Sequence, residues 1–248
     1  MDSSSSGFKL FLKRIWFAWS GICFGTLTII LTFPVILCVS VFGEVTGGNL
    51  GYVILRFWGR LHAFLSGIWV TVEWTAPKYL DGPAIYIANH GSYLDVISLV
   101  PRMPVPFRPL GKVELTKLPV FGRMYRRVMV VVDRESLASR KASVEKLKEL
   151  LTKHRISILV FPEGTMNRTP DLLTPFKDGA FRIAADTGIP IIPVGVIGAR
   201  ENMPRRPSFT MSPGRVRLRF GAPIQVQGRD PKALKDEAYE RLKALLSV

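Results

Sequence analysis

The residues best suited to catalysis are His90 and Asp95, which are separated by four residues in ANHGSYLD. They follow the strand-like run AIYIA, so a tight turn at Gly91 would present them at the carboxyl edge of a sheet, where open α/β sheets form their sites. A histidine acts there as a general base when a carboxylate fixes its tautomer and leaves the other ring nitrogen free. The same spacing also fits a capping box, with Ser92 as N-cap and Asp95 at the third helical position, so a purely structural role stays open.

The remaining reactive side chains do not form a second catalytic set. His62 lies in an apolar stretch, where we expect it on the polar face of a helix, and His154 is expected at a helix end. Cys23 and Cys38 lie in an apolar run without a nearby base. The sequence contains no G-x-S-x-G elbow, P-loop, G-x-G-x-x-G or H-E-x-x-H motif, which argues against a protein nucleophile and against a metal site. His90 would therefore activate a hydroxyl group of a substrate.

Three further segments have features of a binding site. Gly111–Gly122 reads GKVELTKLPVFG, within a region rich in Lys and Arg that suits phosphate or anionic head groups. Phe161–Thr165 reads FPEGT and follows the strand-like ISILV, and residues 189–196 read IPIIPVGV, a strand punctuated by proline. Each segment alone fits a turn or an edge strand. Their occurrence in this order after NHGSYLD favours a functional site.

Together the four segments resemble those of the glycerolipid acyltransferases typified by bacterial 1-acylglycerol-3-phosphate acyltransferase. NHGSYLD is similar to the family's first block, GKVELTKLPVFG with the following VVVDRES to the second, FPEGT with the later TPFKDGAF to the third, and IPIIPV to the fourth. The resemblance covers roughly residues 75–225. It implies acyl transfer from acyl-CoA or acyl-carrier protein to the free hydroxyl of a lysolipid, in the first instance lysophosphatidic acid, with no bound cofactor and no metal.

The resemblance also implies roles for individual residues. His90 would deprotonate the acceptor hydroxyl, Asp95 would hold His90, and no acyl-enzyme would form. Basic residues of the second block would bind the acceptor phosphate, and the EGT segment would shape the acceptor pocket. The implied substrate-binding residues are Asn89, Ser92, Lys112, Arg134, Glu163, Gly164, Thr165 and Arg168.

One position departs from the pattern of the phosphatidate-forming members, which usually carry arginine directly after EGT. This chain has Met166 there, and the next basic residue is Arg168. Either Arg168 reaches the same spot, or the acceptor is a different lysolipid. The alternative function is thus an O-acyltransferase or transacylase for a lysophospholipid or a lyso-aminolipid such as lyso-ornithine lipid.

The composition is both basic and apolar. The 248 residues include 34 Lys and Arg against 19 Asp and Glu, a formal net charge of +15, and 48% are hydrophobic. This apolar content excludes disorder, and two cysteines exclude a disulfide scaffold. A basic, apolar chain favours membrane lipids as partners. A non-catalytic membrane adaptor would show no acyl transfer, and a nucleic-acid binder is disfavoured because no recognition motif is present.

The apolar residues are concentrated near the N-terminus. Residues 15–42 contain no charged residue, whereas about 20 apolar residues suffice to cross a bilayer. Lys9, Lys13 and Arg14 precede this run, which predicts a start on the cytoplasmic side of the cell membrane. A single span and a secretory signal peptide are the alternatives to a segment that dips into one leaflet.

The following stretch, Gly51–Trp74, is apolar but contains charge. Arg56 and Arg60 lie on one helical face, and a charge at mid-bilayer is costly, so we predict an amphipathic helix lying in the interface. With the first run it would form a helical hairpin that is bent near Gly25 or Pro34. This hairpin would anchor the protein to the membrane.

Beyond the hairpin, strand-like and helical patterns alternate, which predicts an α/β domain with a mixed, mostly parallel sheet flanked by helices. We therefore predict two parts, a membrane-associated hairpin over residues 1–74 and an α/β acyltransferase domain over residues 75–248. The predicted strands are Ala84–Ala88, Val128–Val132, Ile156–Phe161, Ile191–Ile197 and Arg215–Phe220, and the predicted helices begin at Ser92, near Ser136, near Asp178 and at Asp230.

Overall fold

The computed structural model describes residues 3–79, 81–119, 121–132 and 137–247. A seven-stranded sheet lies at its centre, in the order β1-β7-β6-β2-β5-β3-β4 given by the strands below. Neighbouring strands are parallel except β6 and β7, which confirms a mixed, mostly parallel sheet. The strands are β1 (Ile68–Trp74), β2 (Ile85–Ala88), β3 (Phe107–Lys112), β4 (Val130–Val132), β5 (Ser157–Val160), β6 (Ile191–Ile197) and β7 (Gly214–Phe220).

Helices cover both faces of this sheet. They are α1 (Ser3–Phe42), α2 (Gly48–Leu65), α3 (Leu94–Leu99), α4 (Phe121–Val128), α5 (Leu137–Thr152), α6 (Gly179–Thr187), α7 (Ala199–Asn202) and α8 (Pro231–Leu246). Because side chains alternate along a strand, β2 contributes to two cores. Ile85 and Ile87 pack with residues of α5, α6 and α8, whereas Tyr86 and Ala88 pack with residues of α2 and α3.

Helix α8 forms where the sequence predicts it. The Asp230 carboxylate accepts hydrogen bonds from the backbone N–H groups of Lys232 and Ala233, at 2.9 and 3.1 Å, and Pro231 occupies the first helical position. One apolar face of this helix is buried against the sheet: Leu234, Ala238, Leu242 and Leu245.

Helices α1 and α2 form the predicted hairpin. The indole N–H of Trp16 donates to the carbonyl of Ser66 at 3.0 Å, near the open end of the hairpin. Closer to the bend, Gly51 lies against Val35, and a Cβ at position 51 would stand 3.3 Å from the Val35 side chain. The two helices therefore run antiparallel and in close contact.

The position of the bend differs from the prediction. Gly25 and Pro34 both lie inside α1, and the chain reverses at a π-helical turn, Gly43–Gly47. Gly43 has φ +77°, a conformation that residues with a Cβ rarely adopt, and Gly47 packs directly against the backbone of α1. The two glycines, rather than the proline, allow the reversal.

The outer side of the hairpin is apolar and uncovered. Gly7–Leu65 is the one helical stretch in the described part of the chain that is long and apolar enough to cross a membrane, judged by length and composition. Large side chains such as Phe33 and Phe64 are 73% and 70% exposed. The hairpin thus presents the kind of surface that marks an interaction site on a protein.

Strand β1 corrects the prediction of one amphipathic helix over Gly51–Trp74. Helix α2 ends at Leu65, and Gly67, with φ +64°, turns the chain into IWVTVEW. This β-branched and aromatic run pairs in parallel with β7, so the sheet includes residues before position 75. The division into two parts at that position stays a prediction. His62 is not on a polar face: it is 1% exposed and packs against Ser20 of α1.

Strand β3 is also absent from the sequence prediction. It pairs with β5 and β4 although it reads FRPLGK, with a proline and a glycine that are unfavourable in strands. Its position between two other strands is what makes it regular. The predicted helix start near Ser136 falls outside the described residues, and α5 is described from Leu137 onward.

Candidate active site

His90 and Asp95 meet at the carboxyl end of β2, as their spacing predicts. His90 lies two residues after the strand, and Asp95 lies in the first turn of α3. His90 Nδ1 is 2.9 Å from Asp95 Oδ2. Since an ionised carboxylate can only accept, Nδ1 carries the proton and Nε2 is the ring nitrogen left for a substrate. The imidazole also stacks on the Phe161 ring, with centroids 4.2 Å apart, which fixes its plane.

The capping role and the orienting role of Asp95 occur together. Its Oδ2 atom accepts not only from His90 but also from the backbone N–H groups of Gly91 and Ser92, each at 2.8 Å. Ser92 Oγ accepts in turn from the N–H of Leu94 at 3.3 Å, so the predicted capping box forms with the hydroxyl bonded one residue earlier than in the standard motif. The start of α3 therefore holds the carboxylate in place against the imidazole.

Burial dominates the electrostatics of this carboxylate. Asp95 is 1% exposed, and burial raises its pKa above the ordinary carboxyl range. The hydrogen bonds from His90, Ser92 and Gly91 oppose this effect because they stabilise the charged form. A buried carboxylate with a raised pKa is a strong acceptor, which suits a partner for an imidazole that gains charge during proton transfer.

Asn89 ties the site to the neighbouring strand. Its amide group donates to the carbonyl of Val196 in β6 at 2.9 Å and accepts from the N–H of Val196 at 2.7 Å. This pair of bonds fixes the backbone that carries His90. Both ends of the Asn89 amide bond to Val196, and this side chain does not line the cavity described below.

Glu163 has a similar structural position. It is 2% exposed; Oε1 accepts from the backbone N–H of His90 at 2.8 Å, and Oε2 accepts from the N–H and hydroxyl of Thr174 at 2.8 and 2.7 Å. The carboxylate therefore joins the His90 turn to the segment after FPEGT. Ser92 is fully buried as well, and its hydroxyl donates to the carbonyl of Met203 at 3.0 Å.

A cavity of about 610 Å³ opens beside His90. Apolar side chains from both helices of the hairpin, from α3 and from α4 line most of it, and His90 stands among them. Its volume lies within the range of small-molecule sites. The apolar lining from the hairpin and α4 includes Phe24, Tyr52, Leu55, Trp58, Met124 and Val128.

The end of the cavity near the EGT turn is polar. Gly164, with φ +75°, and Thr165 line it together with Met166, Arg168 and Arg205. A Cβ at Gly164 would be strained by this φ and would approach Lys177, so the turn requires glycine.

The other predicted substrate residues are less fully described. The backbone of Lys112 lies at the end of β3, paired with Val132 of β4. Arg134 lies outside the described residues. The structure thus brings His90, Gly164, Thr165 and Arg168 together around one cavity, with Asp95 buried against His90. Asn89, Ser92 and Glu163 hold the backbone of that site.

Sequence reasoning missed Arg205. This residue lies 39 residues after Met166, yet its Nη1 atom is 3.3 Å from Met166 Sδ. The signal in the sequence is the basic run PRRP at 204–207, which no motif connects to the site. Its contribution depends on the fold alone.

Two similar proteins with assigned names carry the same enzyme name. The 1-acyl-sn-glycerol-3-phosphate acyltransferase of Cocos nucifera is 30% identical over 188 residues, which cover 74% of this chain and 58% of the relative. The enzyme of the same name from Salmonella typhimurium is 39% identical over 142 residues, 57% of each chain. The matches thus span less than two thirds of the length of these relatives.

The fold has a counterpart among crystal structures. The 1-acyl-sn-glycerophosphate (LPA) acyltransferase PlsC from Thermotoga maritima superposes with a TM-score of 0.76, over 96% of both chains and at 22% identity. The sequence profile of the Acyltransferase family matches residues 69–197, more than half of the chain, and this segment includes the strand and turn that carry His90. By this match the chain belongs to the acyltransferase family.

Proposed function

We propose that this chain transfers an acyl group from an acyl thioester to the free hydroxyl of lysophosphatidic acid, giving phosphatidic acid. The observation that carries this proposal is the His90–Asp95 pair, with Nδ1 and Oδ2 2.9 Å apart, at the side of a mostly apolar cavity. This reaction needs a base, an apolar site for the acyl chain and a polar end for the head group of the acceptor. The names of the relatives support the same substrate class.

The chemistry follows from the free ring nitrogen. Nε2 of His90 takes the proton of the acceptor hydroxyl, and the oxygen attacks the thioester carbonyl carbon. When the tetrahedral intermediate collapses, the carbon–sulfur bond breaks and the imidazolium returns the proton to the departing thiolate. Asp95 stabilises the imidazolium between these two steps, and no bond to the protein forms.

We assign positioning roles to the predicted residues that do not line the cavity. Asn89 and Ser92 donate to the carbonyls of Val196 and Met203, and Glu163 accepts from the N–H of His90 itself. They would act through the geometry of the base. Gly164 and Thr165 would contact the acceptor. Lys112 and Arg134 remain proposed phosphate ligands from the family resemblance.

The acyl donor is acyl-CoA or acyl-carrier protein. Both carry the acyl chain as a thioester, so the chemistry at His90 is the same for either donor. The apolar cavity between the hairpin and the sheet domain is proposed to hold an acyl chain. Burying such a chain is favourable by about 0.8 kcal/mol per methylene group. A tightly lined cavity of this kind would favour chains that fill it.

We also propose that the hairpin inserts into the cytoplasmic leaflet of the cell membrane. Its outer face carries exposed Phe, Ile, Leu and Trp side chains, whereas Lys9, Lys13 and Arg14 lie near its N-terminal end. Basic residues near an anionic surface add about 1 kcal/mol each. Since helices of the same hairpin line the cavity, a lysolipid would pass from the leaflet to His90 over a short path.

The test uses the purified full chain in anionic phospholipid vesicles, with labelled acyl-CoA or acyl-carrier protein and a panel of lysolipids. We expect turnover with lysophosphatidic acid and its loss in His90→Ala. His154→Ala is the matched control, because His154 is partly exposed at the end of α5 and does not line the cavity. Equal turnover in the two variants would refute the base assignment, and turnover restricted to a lyso-aminolipid would correct the acceptor.

A further inference from the structure

A second, strongly basic cleft adjoins the polar end of the cavity. It has a volume of about 500 Å³ and lies between the segment after FPEGT and the segment after α7. Four arginines line it, and no acidic residue is among its described lining. They are Arg168, Arg200, Arg205 and Arg206.

Arg205 stands where the cleft and the cavity meet. It lines both spaces, as Arg168 does. Its Nη1 atom lies 3.3 Å from Met166 Sδ, and its Cζ atom lies 5.3 Å from the centre of the Tyr93 ring, on the ring face. The sulfur and the ring hold the guanidinium from two sides without neutralising it.

In the part of the chain that the structure describes, none of the four guanidinium groups that line the cleft has a carboxylate within ion-pair distance. The positive charges of Arg168, Arg205 and Arg206 are therefore not neutralised there. Arg200 is used differently: it donates to the carbonyls of Thr169 and Asn167 at 2.8 and 3.2 Å and so holds the loop that carries Arg168. Like charges gathered in one cleft repel each other, so the arrangement is stabilised when an anion binds.

We infer that Arg205, with Arg168, binds a phosphate group of a substrate at the junction of cleft and cavity. The planar guanidinium fork matches phosphate oxygens in a bidentate manner, which a methionine at position 166 cannot do. Arg205 places that fork against the side chain of Met166, so a distant segment supplies the charge that the EGT turn lacks. This inference rests on the proposed function and adds a recognition site to it.

The phosphate has two possible sources, the phosphomonoester of lysophosphatidic acid or the phosphates of the acyl donor. Kinetics of Arg205→Gln distinguish them with four substrates: lysophosphatidic acid, the phosphate-free 1-monoacylglycerol, acyl-CoA and the phosphate-free acyl-N-acetylcysteamine. Arg182→Gln, on the exposed side of α6, is the control. Loss of charge-assisted hydrogen bonds predicts an increase in KM of about 10- to 100-fold for the substrate that supplies the phosphate, and no change for its phosphate-free counterpart.

A reciprocal exchange tests the position of the charge. In Met166→Arg/Arg205→Met the guanidinium reaches the same spot from the EGT turn, and we expect KM to return to within about threefold of the wild type. The inference is overturned if Arg205→Gln matches Arg182→Gln with all four substrates.

Binding without turnover separates this inference from the proposed function. Glycerol 3-phosphate should raise the melting temperature of the detergent-solubilised full chain, and the increase should be smaller in Arg205→Gln than in Arg182→Gln. If the wild type acylates no lysolipid but shows this difference, the proposed function fails and the phosphate site stands. If it acylates lysolipids and shows neither the KM effect nor the melting effect, the phosphate site fails and the function stands.

Discussion

The substitution Asp95→Asn tests the central feature of the site with little change in shape. All three donors that reach Asp95 converge on one oxygen, Oδ2. An asparagine whose carbonyl oxygen occupies this position still accepts from the two backbone N–H groups and from His90 Nδ1. The capping box and the tautomer of His90 are therefore kept, and only the negative charge is lost.

The size of the effect follows from the charge separation. A unit charge pair 2.9 Å apart at an effective dielectric constant of about 20 interacts by about 6 kcal/mol. If the imidazole carries about half a charge in the transition state, the loss is about 3 kcal/mol. A loss of about 3 kcal/mol lowers kcat by about 10²-fold, and a loss of about 6 kcal/mol lowers it by about 10⁴-fold, so we expect a fall between these two values.

The assay is the initial rate of acyl transfer by the purified full chain in vesicles, at saturating donor and acceptor. Asp236→Asn, an exposed position on α8, is the matched control. A kcat for Asp95→Asn within about threefold of this control would refute the role of the carboxylate. Circular dichroism of the variant shows whether a large fall in kcat is caused by unfolding instead.

The same substitution also changes how the stability of the fold depends on pH. Burial raises the pKa of Asp95, so the folded chain binds a proton more tightly than the unfolded chain at this position. The wild type therefore loses stability as the pH rises from the ordinary carboxyl value to the raised one, whereas Asp95→Asn does not. We expect the melting temperature of the variant, relative to the wild type, to increase with pH across this interval. A constant difference would contradict the argument.

The other predictions concern residues that hold the site or the fold. Glu163→Gln places an amide donor against the N–H of His90 or of Thr174. We therefore expect the free energy of unfolding to fall by about 1–3 kcal/mol and kcat to fall at unchanged KM. Equal free energies of unfolding for the variant and the wild type in denaturant titration would argue against this role. Asn89→Ala leaves the N–H and carbonyl of Val196 without partners and should cost about 1–3 kcal/mol by the same measurement. Asp230→Ala removes the N-cap of α8 and should lower stability by about 1 kcal/mol while turnover stays unchanged.

Local patterns carry much of the fold. The alternation of RVRLRF predicts a strand, and β7 is Gly214–Phe220. The N-cap and proline at the start of α8 are equally local, since a cap bonds to groups two or three residues away. The run IWVTVEW has the composition of a strand, but the apolar stretch before it gave no clear sign that the helix ends at Leu65 and that the chain turns at Gly67.

Contacts between segments that are distant in the chain could not be predicted from the sequence. Glu163 was expected at the substrate, yet its bonds to His90 and Thr174 cross segments that no local rule brings together. The reversal of the hairpin at Gly43–Gly47 depends on how closely α1 and α2 approach each other. Pro34, which lies inside α1, was a misleading signal for the bend.

The sequence by itself determined that His90 and Asp95 meet, because four intervening residues at the start of a helix leave the two side chains within hydrogen-bond reach. It also determined the alternation of strands and helices. Only the tertiary structure decided which cavity the imidazole faces and that the guanidinium of Arg205, 39 residues beyond Met166, lies against the side chain of that methionine. The physical reason is that hydrogen bonding along the chain is encoded locally, whereas the neighbours of a side chain across a cleft depend on the packing of the whole sheet.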